Sequence, residues 1–156
     1  MTTELKSKVG PAMGRLASGV YIVTTKAEGQ PDGMLATWIT QAAFEPPSIV
    51  VSVNKVRPLL QSMSEGSQFA VNVLSKGNMD IFKAFAKPGG TDRFEGLTLL
   101  DRPLPVFAQA ISYMVCKVAK IVDAGDHVLV IGEVVDGELL NSDEPMTHLR
   151  KDGFQY

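Results

Sequence analysis

The sequence predicts a mostly β fold, a small antiparallel barrel with short helices at its rim. Three observations carry that expectation. Runs rich in β-branched residues outnumber helical patterns, and most connections between them are short or hairpin-like. The last third holds two long apolar runs, Ile111–Val118 and Val128–Val135, separated by the polar turn DAGDH. Both are hydrophobic on both faces in places, as expected where a barrel packs against helices or a partner chain.

The elements follow in order. The first residues mix helix formers with Gly10, and Pro11 is tolerated in a first helical turn. A short helix is therefore expected from about Pro11 to Ala17, ended by Gly19. Val20–Thr25 reads as a strand and EGQPDG as a turn-rich loop. Strands are expected at about Met34–Thr40 and Ile49–Asn54, with the double proline Pro46-Pro47 breaking the chain between them. A helix near Arg57–Glu65 and a strand at Phe69–Leu74 come next. Asn78 can cap a second helix, Met79 to about Ala86. The segment KPGGTDRFEGLTLLDRPLP is then a long loop, and loops of that length in a compact domain are more often functional than idle.

Composition excludes several classes. A chain of 156 residues without repeats or linkers is expected to form one domain, residues 1–156, with a substantial core. Hydrophobic residues at 45% and charged residues at 21% describe a globular chain. A net charge of −2 gives no general pull toward nucleic acid or an anionic membrane. No apolar run approaches the roughly 20 residues of a membrane-spanning helix. The N-terminal residues lack the hydrophobic core of a secretion signal, and a single cysteine forms no internal disulfide, so a reducing, cytoplasmic setting is expected.

A conventional active site is hard to assemble. Cys116 lies in an apolar strand and reads as a buried structural thiol. His127 and His148 are far apart and show no ligand spacing, so a metal site is not expected. PGGTDR is neither a P-loop nor a dinucleotide fingerprint. Without acid–base or nucleophile machinery, a cofactor has to carry any chemistry. The stretch GMLATWITQAAFEPPSIVVSV is the informative one: Thr37, Thr40 and Gln41 sit among apolar neighbours, and such groups cost free energy unless something bonds to them. Lys55 and Arg57 follow at a strand end, and Lys87, Arg93 and Gly89-Gly90 make a second cationic loop. Each is a solvated basic turn or a phosphate holder. Trp38 is either core or a wall of a binding site. His127 is either a turn residue or a flat ring laid over a planar heterocycle, with Asp126 setting its tautomer.

Several blocks in order, GRLASGVYIVTT, GMLATWITQAAFEPPSIVVSVNK, FAVNVL, DRFEGL, GDHVLVIGEV and HLRKDGFQY, resemble the flavin reductase-like family of FMN-binding split barrels. They span about Met13 to Tyr156, and the second and last most resemble the C-terminal module of cyanobacterial-type flavodiiron proteins. The resemblance implies a Greek-key-like split barrel and a homodimer with flavin near its interface. It implies that Met34, Thr37, Trp38, Ile39, Thr40 and Gln41 line the flavin. Asn54, Lys55, Arg57, Lys87 and Arg93 would then approach its phosphate, and His127 would lie on the nicotinamide side. Trp38-Ile39 and Ala43 depart from the family's usual serine and threonine pattern, which favours FMN over FAD. The implied activity is hydride transfer from NADH or NADPH to flavin N5, with electrons passed to a protein acceptor or free flavin. A flavin-binding electron carrier or redox sensor, and a ligand-binding or assembly module without cofactor, are the competing readings.

Overall fold

The computed structural model describes residues 1–156. In chain order the elements are α1 (Thr3–Met13), β1 (Ser18–Gly19), β2 (Tyr21–Ala27), β3 (Gln30–Ala36), β4 (Ile39–Phe44) and β5 (Pro47–Asn54), then β6 (Gln68–Val73), α2 (Met79–Phe85), β7 (Ser112–Ala124), β8 (His127–Leu139) and β9 (Thr147–His148). Seven strands form one antiparallel sheet in the order β3-β2-β6-β7-β8-β5-β4, and β1 pairs separately with β9. No helix is long and apolar enough to cross a membrane.

The sheet must curl. Its two outer strands, β3 and β4, are joined by Thr37 and Trp38 alone. Three Cα steps reach at most about 11 Å. The outer strands of a flat sheet of this width would stand nearly 30 Å apart, at about 4.8 Å per strand spacing. The sheet therefore closes into a barrel, and because β3 and β4 do not pair, the barrel is split along that seam. The single expected strand Met34–Thr40 is accordingly two strands: the chain leaves one sheet edge at Ala36 and joins the other at Ile39.

Other boundaries move for local reasons. The first helix begins at Thr3, well before Pro11, because the Thr2 hydroxyl oxygen accepts from the Leu5 N–H at 3.2 Å. It ends at Met13, with Gly14 as its cap. The expected helix near Arg57–Glu65 is only a 3₁₀ turn, Pro58–Ser62. Asn78 holds the N-cap position of α2 as expected, but its side chain makes no capping bond: its side-chain oxygen accepts from the Ser75 N–H and its amide donates to the Gln109 carbonyl. The C-terminal hairpin is longer than the apolar runs: Ala124 pairs with His127 around a two-residue turn, with Gly125 at φ 87°. His127 is thus the first residue of β8, outside the turn. Two register shifts, between Val115 and Cys116 and between Val118 and Lys120, bend the long hairpin around the barrel.

Alternation along the strands fills two layers. Val23, Val51, Phe69, Val71, Cys116 and Val130 pack the barrel interior. Ile22 on the opposite face of β2 joins Ile81 and Phe85 of α2 with Phe94 and Phe107 of the long loop. That loop is pinned by buried polar bonds: Thr24 donates to the Pro105 carbonyl at 2.6 Å, and Phe107 N–H donates to the Asn72 side-chain oxygen at 3.0 Å. Burial pushes the Cys116 thiol up to about 12, which keeps it protonated and unreactive.

Candidate functional site

The split seam is where the hollows gather. Trp38 stands on the two-residue crossing, and its carbonyl accepts the Ser52 N–H of β5 at 2.9 Å, so the crossing is tied to the sheet. A cavity of about 260 Å³ opens beside it. Met34 and Thr37 form one wall, Ser52 and Asn54 of β5 a second, and Phe82 and Phe85 of α2 a third. A second cavity, about 220 Å³, adjoins it through Met34, Arg57 and Phe85. Asp32, Lys87, Gly89 and Arg93 complete that one. Adjoining spaces of this size suit a small-molecule site of roughly 300–1,000 Å³.

Their charge differs. Arg93 lies with its guanidinium 4.9 Å above the Phe85 ring, donates to the Gly33 carbonyl at 2.8 Å and faces Asp32 at 3.5 Å. Arg57 and Lys87 take part in no ion pair; Arg57 rests 5.8 Å from the Tyr156 ring. The second cavity therefore carries cationic charge without a matching carboxylate, which favours an anion. Lys55 is turned elsewhere. Its ammonium contacts Asp123 at 2.5 Å on the outer hairpin, and that bond, with the Gly125 N–H, holds the Asp123 carboxyl below the usual range.

On the other side of Trp38 lies His127, with only 10% of its side chain exposed. Its ring is 4.9 Å from Trp38 at an interplanar angle of 34°. Nδ1 is 2.8 Å from the Asp126 carboxylate, and Nε2 is 2.6 Å from the Tyr156 hydroxyl. A carboxylate can only accept, so in the neutral imidazole Nδ1 carries the proton and Nε2 accepts from Tyr156. The bond from His127 in turn holds the Asp126 carboxyl below its ordinary value. A hollow of about 460 Å³ lies here, sharing Trp38, Asn54 and Tyr156 with the first cavity. Ile39 and Thr40 border a different, apolar hollow of about 390 Å³ that also touches Trp38. Gln41 is exposed and lines none of these four spaces.

The structure thus brings together Met34, Thr37, Trp38, Asn54, Arg57, Lys87 and Arg93, with His127 behind Trp38. Sequence reasoning missed Ser52, His148, Arg150 and Tyr156. His148 lines the first cavity, and its Nε2 is buried with no hydrogen-bond partner. Arg150 stacks 5.2 Å over Trp38 and donates to the carbonyls of Gly153 and Gln155. The signal was present in the ending HLRKDGFQY, but without a fold nothing linked that ending to Trp38.

The chain matches the flavin reductase like domain over residues 13–155. It is 36% identical over 160 residues to diflavin flavoprotein A 1 of Synechocystis sp., a match covering 98% of this chain and 28% of that protein. The chain thus spans less than a third of the length of that relative. Flavin reductase PheA2 in its native state superposes with a TM-score of 0.79 at 28% identity, covering 97% of this chain and 95% of that one. NADH:FAD oxidoreductase SgcE6 of Streptomyces globisporus shares the fold, with a TM-score of 0.82 at 23% identity over 100% of this chain and 90% of that one. The barrel split at Thr37-Trp38 is the flavin reductase split barrel, and the chain belongs to the flavin reductase-like domain family.

Proposed function

We propose that residues 1–156 form a single FMN-binding NAD(P)H:flavin oxidoreductase domain, cytoplasmic and homodimeric, that hands electrons to a protein acceptor or free flavin. The observation that supports it most is the pair of adjoining cavities, one mostly apolar, the other holding two cations without carboxylate partners. The residues present fit a flavin: the orphaned Nε2 of His148 calls for a polar partner at the cavity wall, and a heterocycle edge would supply one. Exposed apolar side chains, Phe44 at 87% and Val56 at 81%, fit association of two copies.

When bound, the flavin supplies a hydride acceptor at N5. The chain's own residues bind and orient. Met34 and Phe85 give the apolar walls, and Thr37 and Asn54 the polar edge. Arg57 and Lys87 hold a terminal phosphate while Arg93, already fixed by Asp32 and Gly33, stiffens the loop that carries it. A phosphate at the end of the ligand matches FMN better than FAD. His127 presents a flat ring beside Trp38 to seat the nicotinamide, with Asp126 fixing its tautomer.

Two expected outcomes test this. Arg57→Ala should weaken FMN by about 1.5–3 kcal/mol, the worth of one charge-assisted hydrogen bond, and leave riboflavin nearly unchanged. Isothermal titration of both ligands decides, and equal losses would move the phosphate away from Arg57. FMN at ten times its Kd should stabilise the fold by about 1.4 kcal/mol if it binds the native state alone. A melting temperature that does not respond to FMN would remove the cofactor.

A further inference from the structure

The His127 imidazole has one hydrogen-bonding atom left once Asp126 holds Nδ1, and Tyr156 already occupies it at 2.6 Å. The Tyr156 ring also lies 5.4 Å from Trp38 and forms part of the partition between the cavity of about 260 Å³ and the hollow of about 460 Å³. The other two residues common to both spaces have side chains tied to their surroundings: Arg150 stacks 5.2 Å over the Trp38 ring, and the Asn54 side-chain oxygen accepts from the Val56 N–H at 3.0 Å. Tyr156 is 61% exposed, and the bond to His127 is its side chain's one hydrogen bond. It is the most exposed of the three residues that the two spaces share.

We propose that Tyr156 is a positioning residue that gates nicotinamide entry by competing for His127 Nε2. This inference rests on the reading of His127 as the nicotinamide seat. A nicotinamide carboxamide brings an N–H donor to a single acceptor nitrogen, and the Tyr156 hydroxyl is a donor for the same atom. One lone pair serves one of them, so the nucleotide must displace the tyrosine before it can be aligned. The segment bearing Tyr156 is held from below by backbone contact. Gly153 N–H donates to the Gly10 carbonyl at 2.7 Å, and the Arg15 side chain donates to the Arg150 carbonyl at 2.6 Å. A Cβ on Gly14 would meet the backbone of Lys151 and Asp152 at 2.8 Å. The seat of Tyr156 is thus set in part by α1, whose Lys6 and Met13 border the hollow of about 460 Å³.

Two variants separate the gate from a structural role. Tyr156→Phe keeps the ring and removes the competing donor. It should lower KM for NADH or NADPH roughly 3- to 10-fold, the worth of one neutral hydrogen bond, and hydride transfer at saturating nucleotide should be no faster. Gly14→Ala touches no cavity residue and suits a helix end, yet should lift the segment and lower KM in the same direction. Trp38 is the chain's one tryptophan, so its emission in flavin-free protein reports the seat directly. Gly14→Ala and Tyr156→Ala should both shift that emission to longer wavelength. An unchanged KM in Tyr156→Phe, a KM that rises, or an emission that stays at the wild-type value would each overturn the gate. Failure of the underlying reading is separately visible, as wild-type protein that FMN does not stabilise and that oxidises no NADH.

Discussion

Phe69→Ala is expected to destabilise the fold by about 3–5 kcal/mol, the range for emptying a buried aromatic site. Phe69 is fully buried on β6, and its ring lies against the bare backbone of Gly132 on β8. A Cβ at Gly132 would come within 2.7 Å of the Phe69 ring and 2.9 Å of the Cys116 Cβ. The interior of a barrel cannot easily close over the loss, because the strands around Phe69 are tied by continuous ladders from β2 to β5. For a domain of this size the melting temperature should fall by roughly 6–20 °C, at about 2–4 °C per kcal/mol. The same contact makes a second, opposite test: Gly132→Ala should overpack the site and cost about 1–3 kcal/mol. Combined with Phe69→Leu, that cost should shrink, because the smaller side chain makes room for the methyl group. Urea unfolding of wild type, Phe69→Leu, Gly132→Ala and the double variant gives the coupling directly. A Phe69→Ala loss below about 1.5 kcal/mol, or strict additivity, would mean that the ring does not fill the barrel as described.

Much of this barrel was legible from period-two patterning, and the site only in part. The core strands β5, β6 and the start of β7 carry β-branched alternation that no helix would tolerate, so their positions were readable within two residues. What local pattern could not show was the seam. Thr37-Trp38 continues the strand-like composition of Met34–Thr40, and only the pairing order of seven strands reveals that two residues carry the chain between opposite sheet edges. The continuation of β7 and β8 past their apolar cores was hidden for a related reason. Lys120, Asp123 and Glu138 lie on ladder positions exposed to solvent, where pairing sets the structure and hydrophobicity says nothing. Charges were the weakest guide. Lys55 and Arg57 look equivalent in sequence, yet one meets Asp123 across the hairpin and the other faces the cavities. No rule of spacing distinguishes them, because Asp123 approaches through tertiary structure.

His127→Ala should retain bound FMN and the fold while slowing flavin reduction by NAD(P)H on the order of 100-fold, the usual effect of losing alignment between two reacting centres. The argument runs through orientation. His127 does not line the two adjoining cavities proposed to hold the flavin. Its bonds are to Asp126 and Tyr156, and its face is toward Trp38. On the proposed reading, removing the imidazole removes the hydrogen-bond partner of the nicotinamide and leaves the walls of the two adjoining cavities standing. Tyr156 loses its partner in the same variant, so the gate opens while the seat disappears, and KM and the rate of reduction at saturating nucleotide should both worsen. Tyr156→Phe should improve KM alone, which distinguishes the two residues. Asp126→Ala should fall between wild type and His127→Ala, since the ring remains but its tautomer and angle are no longer held. Stopped-flow reduction across nucleotide concentrations measures these rates, with dithionite as the control for an intact flavin site. Wild-type reduction by NAD(P)H in His127→Ala would return this residue to a purely structural role beside Trp38.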